Sequence, residues 1–369
     1  MVTSVHDALD VRIFYKECLA LAQAGHEVVL IGPHEKDETN EGILIRALSR
    51  PRHRLDRMTR YLWRVYRLTI KEDADVYHFH DPEIIPVGLL LKLKGKCVIY
   101  DVHEDVPRQI LNKHWILPVM RGLVSLLFEV IEISASVFFN GIIAATPTIA
   151  KRFPPYKTIT VKNYPKAQEW IQSSLIPYKE RGANVVYIGG IHHLRGAKEM
   201  VQAIGFIPDS LGARLRLVGF FTPPNLHEDL KKLSGWKKVE YLGWRNPNQI
   251  AAILGEARIG LVTLHPVSNY LVSLPVKLFE YMSAGIPVVA SDFPLWRDIV
   301  KRAGCGLVVN PRDSREISAA IRWLLEHPAE AEAMGKLGQS EVIHHYNWDY
   351  EAEKLLNLYT KLFHHNEAN

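Results

Sequence analysis

The stretch Asn269-Tyr270-Leu271-Val272-Ser273-Leu274-Pro275-Val276-Lys277-Leu278-Phe279-Glu280-Tyr281-Met282-Ser283-Ala284-Gly285-Ile286-Pro287-Val288-Val289-Ala290-Ser291 passes from polar loop through helix and glycine stop into an apolar strand with no residue to spare. Ser273 is placed to cap the helix, and Pro275 suits its first turn, where a missing N–H costs nothing. Gly285 fits the position just past the helix end, and Pro287 prevents continuation into the strand 288–291. The first turn of a helix presents unpaired N–H groups and the positive end of a dipole, so it favours an anion. Lys277 is the wrong charge for that end unless something negative lies between. Glu280 follows three residues on, on the same face. The pattern fits a phosphate held by amides and Lys277, with Glu280 accepting hydrogen bonds from the vicinal hydroxyls of a sugar. The same residues also read as a capped surface helix with a solvated lysine and glutamate.

Strand and helix alternate on both sides of this stretch. Upstream, strand 185–188 ends in the turn Gly189-Gly190-Ile191-His192-His193-Leu194-Arg195-Gly196 before a helix at 197–207. Glycines after a strand let backbone approach a ligand, and Arg195 offers a planar donor fork to phosphate. Strands at 214–219, 239–242, 259–264 and 305–309 alternate with helices at 226–233, 248–257 and 314–327. The first half repeats the pattern: a short strand at 2–5, a helix at 13–24 closed by Gly25, a strand at 26–32, and strands at 75–81, 97–104, 141–146 and 158–161. Parallel strands buried on both faces read as continuous apolar runs of this kind. Two of them end in polar residues, His80-Asp81 and Asp101-Val102-His103-Glu104. In open α/β sheets the carboxyl ends of strands face the ligand crevice, so His80, Asp81, Asp101, His103 and Glu104 are expected on one edge. A hydrogen-bonded structural role is the alternative for each.

The 369 residues, 47% hydrophobic and 23% charged, are enough for two packed domains and too many for one core. The fold expected is α/β, two Rossmann-like domains with parallel sheets. The N-terminal domain covers 1–164 and is completed by a terminal helix at 347–369; the C-terminal domain covers 165–346, with Asn163-Tyr164-Pro165 as hinge. Nothing at the start has the basic and apolar regions of a secretory signal, so a cytoplasmic protein is expected. Cys18, Cys97 and Cys305 are far apart and odd in number, which argues against a disulfide framework and a cysteine zinc site. The formal charge of +5 is too modest to demand a nucleic-acid partner. The apolar segment 111–139 is broken by Arg121, Glu129 and Glu132, and no run is long enough to cross a bilayer. It reads equally as a buried helix pair or as a surface that dips into a membrane.

Tyr187-Ile188-Gly189-Gly190 with Arg195-Gly196, Gly243-Trp244, Pro275-Val276-Lys277-Leu278-Phe279-Glu280-Tyr281 with Gly285-Ile286-Pro287-Val288-Val289, and Tyr100-Asp101-Val102-His103-Glu104 together resemble the retaining glycosyltransferases of family 4. The resemblance covers essentially the whole chain. It implies the GT-B arrangement of two facing Rossmann-like domains and a nucleoside-diphosphate sugar donor, UDP- or GDP-linked, bound mainly by the C-terminal half. Lys277 and Arg195 would hold the diphosphate and Glu280 the ribose, with Gly243 and Trp244 near the base; Gly189, Gly190, Ser273 and Leu274 complete the donor set. His103 matches the histidine that faces the transferred sugar in relatives, so His103, Arg195 and Lys277 are the catalytic candidates. Asp10, Arg12, His80, Asp81, Asp101 and Glu104 are expected on the acceptor side. No metal or other cofactor is expected, because Arg195, Lys277 and helix amides would stabilise the leaving diphosphate. The sequence departs from the family pattern in three places. Ser273 stands where the first of two glutamates is usual, Gly190 and Arg195 replace an arginine and a lysine, and Asp7, Asp10 and Arg12 replace a glycine pair.

Between 46 and 71 lie Arg46, Arg50, Arg52, Arg54, Arg57, Arg60, Arg64, Arg67 and Lys71, interleaved with Leu55, Met58, Tyr61, Leu62, Trp63, Val65 and Tyr66. Read as a helix, with only Asp56 and Glu72 opposing its charge, this segment is expected either to dock on an anionic membrane surface, aided by Tyr61, Leu62 and Trp63 and by 115–128, or to be a solvated basic helix. The implied activity is retaining transfer of a sugar to a glycan or lipid-linked acceptor, in cell-surface polysaccharide synthesis and peripheral to the inner face of the membrane. A nucleotide-sugar epimerase on the same fold and a non-catalytic glycosyltransferase-like partner subunit are the alternatives.

Overall fold

Apolar, β-branched runs stopped by glycine, proline or a polar turn form the strands, and amphipathic runs between them form the helices. In a computed structural model the chain is described throughout, apart from residues 54, 55, 114, 168–169, 171–175 and 368–369. Arg54 and Leu55 of the basic segment therefore lie outside the described residues. The chain divides into two units, Met1–Asn163 with Trp348–Asn369, and Tyr164–Asn347.

The first unit contains strands β1 (Val29–Pro33), β2 (Glu38–Asn40), β3 (Ile43–Leu48), β4 (Val76–Phe79), β5 (Cys97–Val102), β6 (Gly141–Ala144) and β7 (Thr158–Thr160). β4-β5-β6-β7 run parallel, β1 pairs parallel with β3, and β2 is antiparallel on the edge. Val2 bridges β1 and β4 through Ile31 and Phe79. The strand expected at 2–5 is thus a single bridging residue, because Asp81 draws the chain aside: its Oδ2 accepts from the Thr3 hydroxyl and the Ser4 and Val5 amides. The terminal helix Trp348–Glu367 packs Trp348, Leu355, Leu358 and Tyr359 into this unit's core.

The basic segment is not one helix. Arg46 lies in β3, whose alternating burial suits a strand, and among the described residues the helix is seen at Asp56 and through Arg57–Tyr61 and Leu62–Lys71. More carboxylates oppose its charge than the two nearby in sequence. Arg46 pairs with Glu72 at 3.0 Å and Asp37 at 3.3 Å, Arg57 with Glu83 at 2.8 Å, and Arg50 with Asp7. Tyr61, expected at a lipid interface, is buried and donates to the Ser4 carbonyl. Trp63 and Met58 are exposed. The apolar segment forms the helix Pro118–Ser136, and Val119, Leu123, Leu126, Val130 and Ile131 stand exposed along it. It is not a buried helix pair. Among the described residues no helix is long and apolar enough to cross a membrane.

The second unit contains β8 (Asn184–Ile188), β9 (Ile191–His192), β10 (Arg214–Val218), β11 (Phe221–Thr222), β12 (Val239–Gly243), β13 (Ile259–Val262), β14 (Val288–Ser291) and β15 (Gly306–Val309). Its sheet, in order β12-β10-β8-β13-β14-β15, is parallel throughout, and β9 and β11 form a small parallel pair. The order steps outward both ways from β8 and β13, so the chain after β8 and the chain after β13 leave the middle of the sheet side by side. A ligand crevice belongs at such a switch point.

Candidate functional site

The turn after β8 and the helix Val276–Ser283 meet at this switch point of the second unit. Gly189 has φ +119°, a conformation that glycine adopts without strain. A Cβ on it would lie 3.1 Å from Lys277 Nζ and 3.7 Å from an Arg195 guanidinium nitrogen; one on Gly190 would lie 3.2 Å from the same nitrogen. Both cations therefore crowd the glycine pair. Arg195, at the end of the turn His193–Arg195, has the hydroxyls of Tyr187 and Tyr270 beside it. Lys277 Nζ is shielded from solvent although its stem is partly exposed, and it sits 3.7 Å from the centroid of the Tyr187 ring. No hydrogen-bond acceptor reaches it among the described residues. Burial first, and Arg195 second, push its pKa well below the ordinary lysine value, while Glu280 opposes them.

The helix carrying Lys277 is not capped by Ser273. Its N-cap is Pro275, and Ser273 Oγ donates instead to the Tyr270 carbonyl at 3.1 Å, while Trp296 Nε1 donates to the Ser273 carbonyl at 2.8 Å. Ser273 and Leu274 therefore shape the loop rather than satisfy the helix amides, which stay available to a ligand. At the other end Gly285 has φ +66°; its N–H reaches the Met282 carbonyl and that of Ile286 reaches Tyr281, the paired closure that stops a helix. Gly243 ends β12 with φ +67°, and Trp244 beyond it is exposed.

Gly219 braces the turn from behind. Its φ is +133°, and a Cβ there would lie 2.2 Å from the Gly189 carbonyl. Gly219→Ala should therefore displace the Gly189 turn and cost about 2–4 kcal/mol, from backbone strain and overpacking together. A lowered melting temperature with weakened nucleoside-diphosphate binding is the expected result; a melting temperature within one degree or so of wild type would refute it.

In the first unit His103 follows β5. Its Nε2 lies 2.9 Å from His6 Nε2, and His6 Nε2 lies 3.4 Å from Asp81 Oδ1. Burial, Arg12 and His6 lower the His103 pKa and outweigh Asp101, which favours a neutral ring. His6 carries no sequence signal of its own, and its place beside His103 emerges only in three dimensions. Asp10 caps the following turn, its Oδ1 accepting from the Arg12 and Ile13 amides.

The acceptor-side expectations need correction. Arg12, His80 and Asp101 are buried inside the unit, where Arg12 binds Asp101 at 2.9 Å and Glu17 at 2.9 Å, so none faces an acceptor. A guanidinium and two carboxylates taken out of water neutralise one another rather than a ligand. Asp81 holds the 3–5 loop through Oδ2 and keeps only Oδ1 toward His6. Glu104 is exposed and accepts from Gln109, apart from the others. Another pair lies in the second unit, His265 and Glu199 with Nε2 and Oε2 3.2 Å apart. It escaped sequence reasoning because its members are sixty-odd residues apart with no shared motif.

Residues 11–159 match the family model described as Glycosyltransferase Family 4, and residues 182–327 match the one described as Glycosyl transferases group 1. The chain belongs to the family 4, group 1 glycosyltransferases. This glycosyltransferase is 20% identical to the glycogen synthase of Mycobacterium tuberculosis, over 92% of its own length and 88% of that protein's. It is 25% identical to the MMP alpha-(1->4)-mannosyltransferase of Mycolicibacterium hassiacum, over 46% of its own length and only 40% of that protein's. Its fold is that of sucrose-phosphate synthase from Thermosynechococcus elongatus (TM-score 0.76, 20% identity, 98% of both chains) and of Anabaena HepE solved in complex with UDP-glucose (TM-score 0.74, 12% identity, 98% and 99% of the two chains). This family 4 glycosyltransferase thus has the GT-B architecture, with a predominantly parallel sheet system in each unit.

Proposed function

We propose that the chain is an active transferase that takes a sugar from a nucleoside-diphosphate donor, UDP- or GDP-linked, and passes it with retention to a hydroxyl of a glycan or lipid-linked acceptor. The observation that carries this reading is Lys277: a shielded amine that no acceptor reaches among the described residues, beside Arg195, with both side chains close over a glycine pair. Two cations held together out of water need an anion, and a diphosphate has the charge and span to satisfy both. They then stabilise the leaving diphosphate as its bond to the anomeric carbon lengthens, the work a metal would otherwise do. Glu280 takes the ribose hydroxyls, Gly243 and Trp244 lie toward the base, and neutral His103 is suited to hydrogen-bond the transferred sugar while the acceptor attacks from the face the diphosphate leaves. The Anabaena neighbour solved with UDP-glucose supports a donor of this class.

The decisive experiment is thermal stability against UDP, GDP, ADP and TDP and their common sugars. A ligand at about 100 times its dissociation constant contributes roughly 2.7 kcal/mol, which raises the midpoint of a domain this size by about 5–11 °C. A shift with one nucleotide names the base; none with any removes the donor reading and leaves a non-catalytic partner subunit.

Binding should also take up a proton. In the free site Lys277 has a depressed pKa, and an adjacent diphosphate raises it again. Below the depressed value the lysine is already charged and affinity is flat; above it binding must recruit a proton, so affinity falls as pH rises. Calorimetry near pH 9, where a phosphate with a second pKa of about 6 is fully ionised, should show uptake of up to about one proton in wild type and none in Lys277→Met.

The proposal includes peripheral docking on an anionic membrane, with Trp63, Met58 and the exposed face of the helix Pro118–Ser136 as the apolar contact. Wild-type protein that fails to pellet with anionic vesicles would exclude it.

A further inference from the structure

Deep in the first unit lies a group of side chains that the donor site does not use. Glu17, from the helical turn Ile13–Cys18, and Asp101, from β5, face His78 of β4 and His80 just beyond it, and all four side chains are 0% exposed. His78 and His80 are two residues apart on a strand, so they share a face, and their rings stack with centroids 4.7 Å apart. His78 Nε2 lies 3.9 Å from Glu17 Oε2 and 3.8 Å from Asp101 Oδ2. His80 Nε2 lies 3.9 Å from Glu17 Oε2, and its Nδ1 lies 3.7 Å from Asp101 Oδ2. One ligand atom from each of the four falls within 4.8 Å of all the others.

Buried polar atoms are nearly always hydrogen-bonded. Here, among the described residues, both Glu17 oxygens, His78 Nε2 and both nitrogens of His80 have no hydrogen-bond partner. Arg12 pairs with Glu17 and Asp101 as an ion but leaves the inward-facing atoms bare. The outward nitrogen of His78 is 2.9 Å from the Tyr359 hydroxyl, which fixes the ring and aims Nε2 inward. Histidines that bind metals are commonly held by their other nitrogen in this way.

From this geometry we infer that Glu17, His78, His80 and Asp101 form a structural site for one divalent transition-metal ion of the zinc type. Ligands 2.0–2.2 Å from a tetrahedral centre sit roughly 3.3–3.6 Å apart; His78 Nε2 stands 3.9 and 3.8 Å from the two carboxylates, and with one atom taken from each residue all four lie within 4.8 Å of one another, so side-chain rotations close the set. Two imidazoles with two carboxylates suit zinc, nickel or iron; magnesium and calcium prefer oxygen alone. The ion ties β4, β5, the first helical turn and, through Tyr359, the terminal helix together beneath His103, two residues beyond Asp101. It is a site in the first unit, separate from the diphosphate contacts at Lys277 and Arg195.

The test is titration of the full chain, stripped with a chelator, with Co2+. The expected result is about one Co2+ per chain, with the visible d–d absorption of a four-coordinate site, abolished by added Zn2+. His80→Gln and Asp101→Asn should lose the absorption. His6→Gln should keep it, because His6, Asp81 and His103 form the neighbouring cluster that an ion would otherwise choose. Folded wild type that gives neither the absorption nor a rise in melting temperature with Zn2+ overturns the inference. Loss of the absorption in His6→Gln overturns it as well, even where His80→Gln fails to fold.

Discussion

Lys277→Met is expected to lower kcat/KM for the donor by about 10- to 150-fold, while the free protein melts higher than wild type. A charge-assisted contact contributes about 1.5–3 kcal/mol, and each 1.4 kcal/mol is a factor of ten. The opposite sign on stability follows from the free site: burial and Arg195 both disfavour the ammonium, and no acceptor reaches it among the described residues. Methionine keeps the volume and the contact with Tyr187 without the charge. The lysine would then be a case of stability given up for function. Steady-state kinetics and a melting curve on one preparation check both halves. A variant with wild-type kinetics would take Lys277 out of the site, and a lower melting temperature would mean its charge is compensated in the free protein.

Arg12→Met should cost about 3–5 kcal/mol, the range found when one partner of a buried ion pair is removed. Arg12 donates to both Asp101 oxygens at 3.2 and 2.9 Å and to the Val161 carbonyl at 3.1 Å, and its Nε is 2.9 Å from Glu17. Burial pulls its pKa down, and Asp101 and Glu17 more than reverse that, so it stays charged. Without it two carboxylates share the interior with no fixed cation. For a unit of this size the melting temperature should fall by roughly 6–20 °C, measured on chelator-treated protein so that no metal compensates. A fall of under about 3 °C would mean that the carboxylates find another counter-charge.

Much of the fold was legible because strands buried on both faces show as unbroken apolar runs, and because residues such as Gly25 and Gly285 mark helix ends through a backbone angle that little else adopts. Lys277 and Arg195 were paired through the family resemblance, and the sheet order gives the physical reason they meet: both follow central strands whose ends emerge together. Polar residues elsewhere were harder. Asp101 and His80 sit at strand ends, as Lys277's neighbourhood does, yet their partners Arg12 and Glu17 lie more than sixty residues away, and nothing local tells a strand end facing solvent from one sealed by a distant helix. Arg46 has the same difficulty: its neighbours allow helix or strand, and pairing with β1 decides. Its ion partner Asp37 is brought opposite by the antiparallel pairing of β2 with β3, so the net charge of the segment cannot be summed from the segment.

The return of the terminal helix to the first unit sets an order of assembly. Residues of the second unit form one unbroken stretch, so that unit has all its parts as soon as Asn347 has been made. The first unit, whose other residues all precede the second, still lacks Trp348, Leu355, Leu358 and Tyr359 from its core and the hydroxyl that steadies His78. Domains made first usually fold first. Here the half synthesised first is the last to close, and its unfinished interior must be kept from other chains until the final turns of helix arrive.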